Sequence, residues 1–148
     1  MKISRFIFNH RFMILSVIAG LVVLATVALL FSVDDSTNTM VVKYIEGFGW
    51  EVEDSPAEIS HLTLPRSFDA VYEVYNSLQK SSGFDLEGFR GKKVTRYTYR
   101  VTNHRDSQHN TVLASVFIYN KTIIGADISS ADSNGFMHAI TDVSKIRS

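Results

Sequence analysis

The chain has 148 residues, with 15 basic and 15 acidic side chains, 45% apolar residues and no cysteine. A disulfide framework, a thiolate metal site and a lipid-carrying cysteine are therefore all excluded. Lys2, Arg5 and Arg11 carry all the fixed charge of the first 33 residues, leaving 12 basic against 15 acidic residues beyond them. A weakly acidic domain is a poor candidate for binding nucleic acid.

The first feature is Phe12–Val33, a run of 22 residues without a charge. At a helical rise of about 1.5 Å per residue it would span roughly 33 Å, the depth of a bilayer's hydrocarbon core. It predicts a transmembrane helix and contact with the lipid bilayer. Lys2, Arg5, His10 and Arg11 precede it and Asp34 and Asp35 follow it, so the positive-inside rule puts the N-terminus in the cytoplasm and the rest outside. The run exceeds the 7–15 residues of a cleavable signal core, which makes it a signal anchor. The expected domains are a cytoplasmic basic tail over 1–11, a single membrane pass over 12–33 and an extracytoplasmic domain over 34–148.

Beyond the anchor, Met40, Val41, Tyr44, Ile45 and Phe48 recur at helical spacing, predicting a helix from near Ser36 to Phe48 with Gly49 at its end. Trp50-Glu51-Val52-Glu53 alternates like a short strand, and Asp54-Ser55-Pro56 marks a turn. Ile59–Leu64 reads as a second strand, ended by Pro65. A second helix follows, with Ser67 as cap, Asp69 in its first turn and an apolar face of Phe68, Val71, Tyr72, Tyr75 and Leu78, stopping at Ser81-Ser82-Gly83. Phe84, Leu86 and Phe89 lie in the next loop. They pin it to the domain or, if exposed, form an apolar patch suited to a partner. From Val94 the period becomes two, with Arg96 and Arg100 on one face of the strand and Tyr97, Tyr99 and Val101 on the other. Strands at Thr111–Tyr119 and Thr122–Ile128, joined at Asn120-Lys121, complete an antiparallel meander. Phe136–Ile146 reads as an irregular tail with a single helical turn. The expected fold class is α+β: a transmembrane helix, then a domain of order α-β-β-α-β-β-β with an antiparallel sheet packed by two helices.

No nucleophile sits in a recognisable catalytic setting, and the histidines show no helical zinc spacing. His104, His109 and Asp106 share a loop and make a weak candidate for a metal, so no catalytic, metal or cofactor site is assigned. Asp127 on a strand needs a partner, which Arg96 or Arg100 can supply. The three form either a cross-strand network or a site for a polar ligand or peptide.

Several stretches carry a resemblance. They are Phe68–Gly91, containing Val-Tyr-Glu-Val-Tyr-Asn-Ser-Leu-Gln-Lys; Gly91–Tyr99, with Arg-Tyr-Thr-Tyr; Ile123–Ser129; and Gly135-Phe136-Met137-His138. Over about Phe48–Ile140 the chain resembles domain-of-unknown-function family 4830, bacterial membrane proteins found mostly in low-GC Gram-positive organisms. Ala126 stands where the family typically has a second glycine and Ser129 where a cysteine is common. The resemblance implies a single-pass protein with a small extracytoplasmic domain and implies no activity. The expected function is a membrane-anchored binding or interaction module at the cell envelope, with an envelope or membrane protein as partner. The alternative is a small hydrolase-like envelope enzyme with Asp127, Arg96, Arg100 and His138 in one polar site.

Overall fold

A computed structural model describes residues 35–132 and 135–147. The predicted basic tail and membrane helix lie outside the described residues. Among the described residues no helix is long and apolar enough to cross a membrane, so for those residues the fold class is corrected to an α+β domain of two helices and a five-stranded antiparallel sheet. The chain divides into two units, Met1–Asp35 and Ser36–Ser148, and the elements below build the second.

Its helices are α1 (Asp35–Glu46) and α2 (Ala70–Ser81). Its strands are β1 (Glu58–Thr63), β2 (Lys93–Arg100), β3 (Val112–Tyr119), β4 (Thr122–Ser130) and β5 (Met137–Ala139). The strands form one antiparallel sheet in sequence order, β1-β2-β3-β4-β5. Every connection but the one carrying α2 therefore joins neighbours directly, the cheapest way to close a sheet.

Two apolar clusters sit on the two faces. On one, Tyr97, Tyr99, Val112, Val116 and Ile128 meet Val41 and Ile45 of α1 and the fully buried Trp50. On the other, Val94, Phe117 and Ile124 meet Leu64 and Leu86, with Tyr72 and Tyr75 of α2 half-buried against them. The alternation in β2 decides this division: odd positions face α1 and even positions face α2. Between β3 and β4, Asn120 (φ 46°) and Lys121 (φ 64°) are both left-handed, the backbone a two-residue hairpin turn with the right twist requires.

Two elements differ from expectation. The alternation at Trp50–Glu53 does not make a strand, because its only ladder contact is a single bridge, Val52 to Val101. Trp50 turns inward instead, donating from Nε1 to the Ile140 carbonyl at 2.7 Å, and the chain then leaves the sheet toward Pro56. The tail, in turn, contains β5. Its three residues pair with Asp127, Ile128 and Ser129, and the strand owes its form to that pairing rather than to a pattern of its own. The observed order is α-β-α-β-β-β-β.

Helix α2 is capped by Asp69 rather than Ser67: the carboxylate accepts the Tyr72 N–H at 2.9 Å. The residues it buries most fully are polar, Asn76 and Gln79. Asn76 accepts the Leu86 N–H at 2.8 Å and donates to Asp85 at 3.0 Å, holding the short 3-10 turn Leu86–Phe89 beneath the helix. Gln79 accepts the Ala126 N–H at 2.8 Å, one residue beyond the β4–β5 ladder, and so satisfies a strand donor that has no strand beside it. This close approach depends on Gly125, where a Cβ would stand 3.0 Å from Gln79 Oε1 and 3.3 Å from a Leu86 methyl.

Candidate functional site

The register of the sheet lines up polar residues where the α2 face would otherwise be apolar. Ser60 lies opposite Arg96, Thr98 opposite Ser115, and Ser115 opposite Asp127. Each lies on the same side of the sheet, so together they cross four strands. Helix α2 bridges only part of this surface and leaves a pocket of about 520 Å³ between itself and the strands, a size suited to a small organic ligand. Arg96, Ser115, Asp127 and Ser129 provide its polar lining. Leu62, Leu64, Tyr72, Leu78, Phe117 and the rim residues supply apolar walls. At the rim, Val71, Val74 and Met137 are 75%, 73% and 52% exposed.

Asp127 is 2% exposed. Its Oδ2 accepts the Tyr75 hydroxyl at 2.6 Å and a long contact from Gln79 at 3.5 Å. Burial pushes its carboxyl up to about 6, against the opposing pulls of the Tyr75 hydroxyl, the Arg96 charge and Gln79. Burial, with the Asp127 charge second, also raises the Tyr75 phenol far above its usual value. The pair therefore consists of a phenol that stays protonated and a carboxyl that changes charge near neutral pH.

Arg96 lines the same pocket. Its Nη2 lies 3.5 Å from Glu58 in a partly exposed ion pair, while its Nε is buried and has no hydrogen-bond partner among the described residues. The hydroxyls of Ser60 and Thr98 are in the same state. Arg100 lies elsewhere: it is exposed, pairs with Glu53 at 3.4 Å and does not line the pocket. Phe84, Leu86 and Phe89 serve packing. Leu86 is fully buried, Phe84 leans on Tyr44 of α1, and Phe89 meets Tyr119 edge-on at 5.6 Å.

His138 sits opposite Ile128, stacks with His104 and Phe136 and leans at a tilt against Trp50 on the α1 side. The sheet itself separates it from Asp127. The hydrogen bonds fix both imidazole tautomers. Asp106 N–H donates to His104 Nδ1 at 3.1 Å, so the His104 proton is on Nε2, which reaches His138 Nε2 at 3.3 Å. The His138 proton is then on Nδ1, donating to the Ala139 carbonyl at 2.9 Å. Burial first, and the His138 charge second, hold His104 below its usual value. Both His104 nitrogens are occupied by this chain, which leaves none for a metal. Among the described residues no group of three or more His, Asp or Glu side chains is placed to hold a metal ion.

Gln79 and Ser115 belong to the site and do not stand out in the sequence, whereas Tyr75 reads there as part of an apolar helix face and Ser129 only as a departure from the family pattern. For Ser115 and Ser129 a signal existed: both fall on the strand parity that carries Arg96 and Asp127 in neighbouring strands. A family model described as a domain of unknown function (DUF4830) matches residues 44–128, a span that includes α2, Arg96 and Asp127. No curated protein and no solved structure matches the chain.

Proposed function

The chain belongs to the DUF4830 family, and from that premise we propose that its domain is a ligand-binding module rather than an enzyme. The ligand has an apolar body that lies along α2 and a polar end that meets Arg96 and Asp127. One observation carries this reading. A pocket with exposed valines at its rim and a buried ionisable carboxyl at its floor combines apolar area with a few convergent polar groups. The exposed apolar residues at the rim support it, since a surface helix normally turns valines inward. The location that goes with this function is the outer face of a cell membrane, supported by the uncharged run 12–33 and its flanking charges.

The test uses 1-anilinonaphthalene-8-sulfonate, an apolar fluorophore with a charged end, titrated into the full chain. Single-site binding that is weakened at least tenfold by Ser129→Trp, which fills the pocket, supports the reading. Absence of binding, or binding that Ser129→Trp leaves unchanged in a folded protein, overturns it.

A further inference from the structure

We propose that the polar end of the ligand is a single carboxylate, gripped by Arg96, so that the pocket selects apolar monocarboxylic acids. This rests on the pocket being a ligand site. Among the described residues, Arg96 is the only basic side chain lining it. Three groups at or beside that position lack hydrogen-bond partners among the described residues: Arg96 Nε, the Ser60 hydroxyl opposite it in β1 and the Thr98 hydroxyl two residues along β2. An arginine nitrogen can only donate, and buried donors without acceptors carry a desolvation cost until an acceptor arrives. The missing chemistry is therefore an oxygen acceptor, and the guanidinium adds a charge that a carboxylate matches in a planar, two-pronged contact.

The ion pair that Arg96 makes does not preclude this. Glu58 lies 3.5 Å from Nη2 with its side chain 57% exposed, and exposed pairs of this kind hold an arginine weakly. The other charges limit the ligand to one negative charge. Asp127 faces the same cavity and Glu58 stands beside it, so a dianionic phosphate would meet two carboxylates against one guanidinium. A cationic ligand would have to displace or approach Arg96 itself. Apart from the Ser115 and Ser129 hydroxyls and the two tyrosines, the rest of the wall is hydrocarbon, from Leu62, Leu64, Val74 and Leu78 among others, which suits an alkyl body and offers few partners to a polar one.

The experiment compares four probes with one chain length: decanoate, decanol, decylamine and decyl phosphate. Each is titrated into the full chain at pH 6, and the dissociation constant is read from the amide shifts of Tyr75, Ser115 and Asp127. Decanoate is expected to bind at least tenfold more tightly than each of the others. In Arg96→Gln the ratio of decanoate to decanol affinity falls to within threefold. In Arg96→Lys, which keeps the charge without the planar fork, the ratio is intermediate. Should Arg96→Gln fail to fold, as read from its thermal transition, the wild-type ranking and Arg96→Lys still decide the matter. Equal binding of decanol and decanoate overturns the carboxylate and leaves the pocket standing. Tighter binding of decylamine or decyl phosphate overturns it likewise. If none of the four binds, both this inference and the ligand pocket fail.

Discussion

Replacing Asp127 with Asn removes the charge from the floor of the pocket while keeping an acceptor for the Tyr75 hydroxyl. The carboxyl goes from 3.8 in the reference state to about 6 in the fold, a rise of about two pH units. At about 1.4 kcal/mol per unit this amounts to roughly 3 kcal/mol. The sign follows from proton binding. Between these two values the folded chain holds the proton more tightly than the unfolded chain, so stability falls as pH rises from about 4 through 6. Above that window the wild type carries the full penalty, and below it none. Asp127→Asn never carries it. The stability of the variant relative to wild type should therefore increase by about 2.5 kcal/mol between pH 4 and pH 7.5. Urea unfolding followed by fluorescence measures this directly, because the chain has one tryptophan and Trp50 is fully buried. A difference between the two proteins that stays constant within about 0.5 kcal/mol over that range would refute the burial argument.

Three further outcomes follow from particular contacts. His104 has a lowered value in the fold, so its contribution to stability is complete above about 6.5 and is lost as pH falls below it, by at most about 1.4 kcal/mol per unit. His104→Phe keeps the ring stack with Phe136 and flattens this acid limb in urea titrations at pH 5–6.5, whereas an unchanged limb contradicts burial as the cause of the lowered value. Gly125→Val drives a side chain into Gln79 and Leu86 and should cost about 1–3 kcal/mol; a neutral result would mean that α2 does not approach β4 this closely. Asn76→Ala leaves the Leu86 N–H without its acceptor and should cost about 1–3 kcal/mol, with amide exchange accelerated at Leu86 and Glu87.

Much of the fold can be read from residues that act locally. The β2–β4 meander follows from alternation in Val94–Val101 and from Asn120-Lys121, and α2 from its periodicity. What resisted was set by distant partners. Strand β5 is three residues long and exists because β4 offers it a ladder, while Trp50–Glu53 alternates because one indole enters the core and Val52 makes one bridge. The same distinction runs through the site. Arg96 and Asp127 stand out as charges on strands, yet their neighbours Tyr75 and Gln79 depend on how α2 is rotated over the sheet, which helical periodicity does not specify. Val71 shows the cost of reading periodicity alone. It belongs by spacing to the apolar face of α2, and the sheet beneath is polar, so it stays at the pocket rim. His138 shares a sequence neighbourhood with the site but not a face, and only its pairing with Ile128 reveals that.

Besides the α2 pocket, the α1 face of the sheet also has apolar residues against which an apolar ligand could lodge. Mapping the amide shifts of the full chain on addition of decanoate separates them. Binding in the α2 pocket gives shifts concentrated at Tyr72, Tyr75, Arg96, Ser115 and Asp127, saturating at one equivalent. Shifts centred instead on α1 and its neighbours Tyr44, Phe48 and Phe84, or none at saturating ligand, would contradict it.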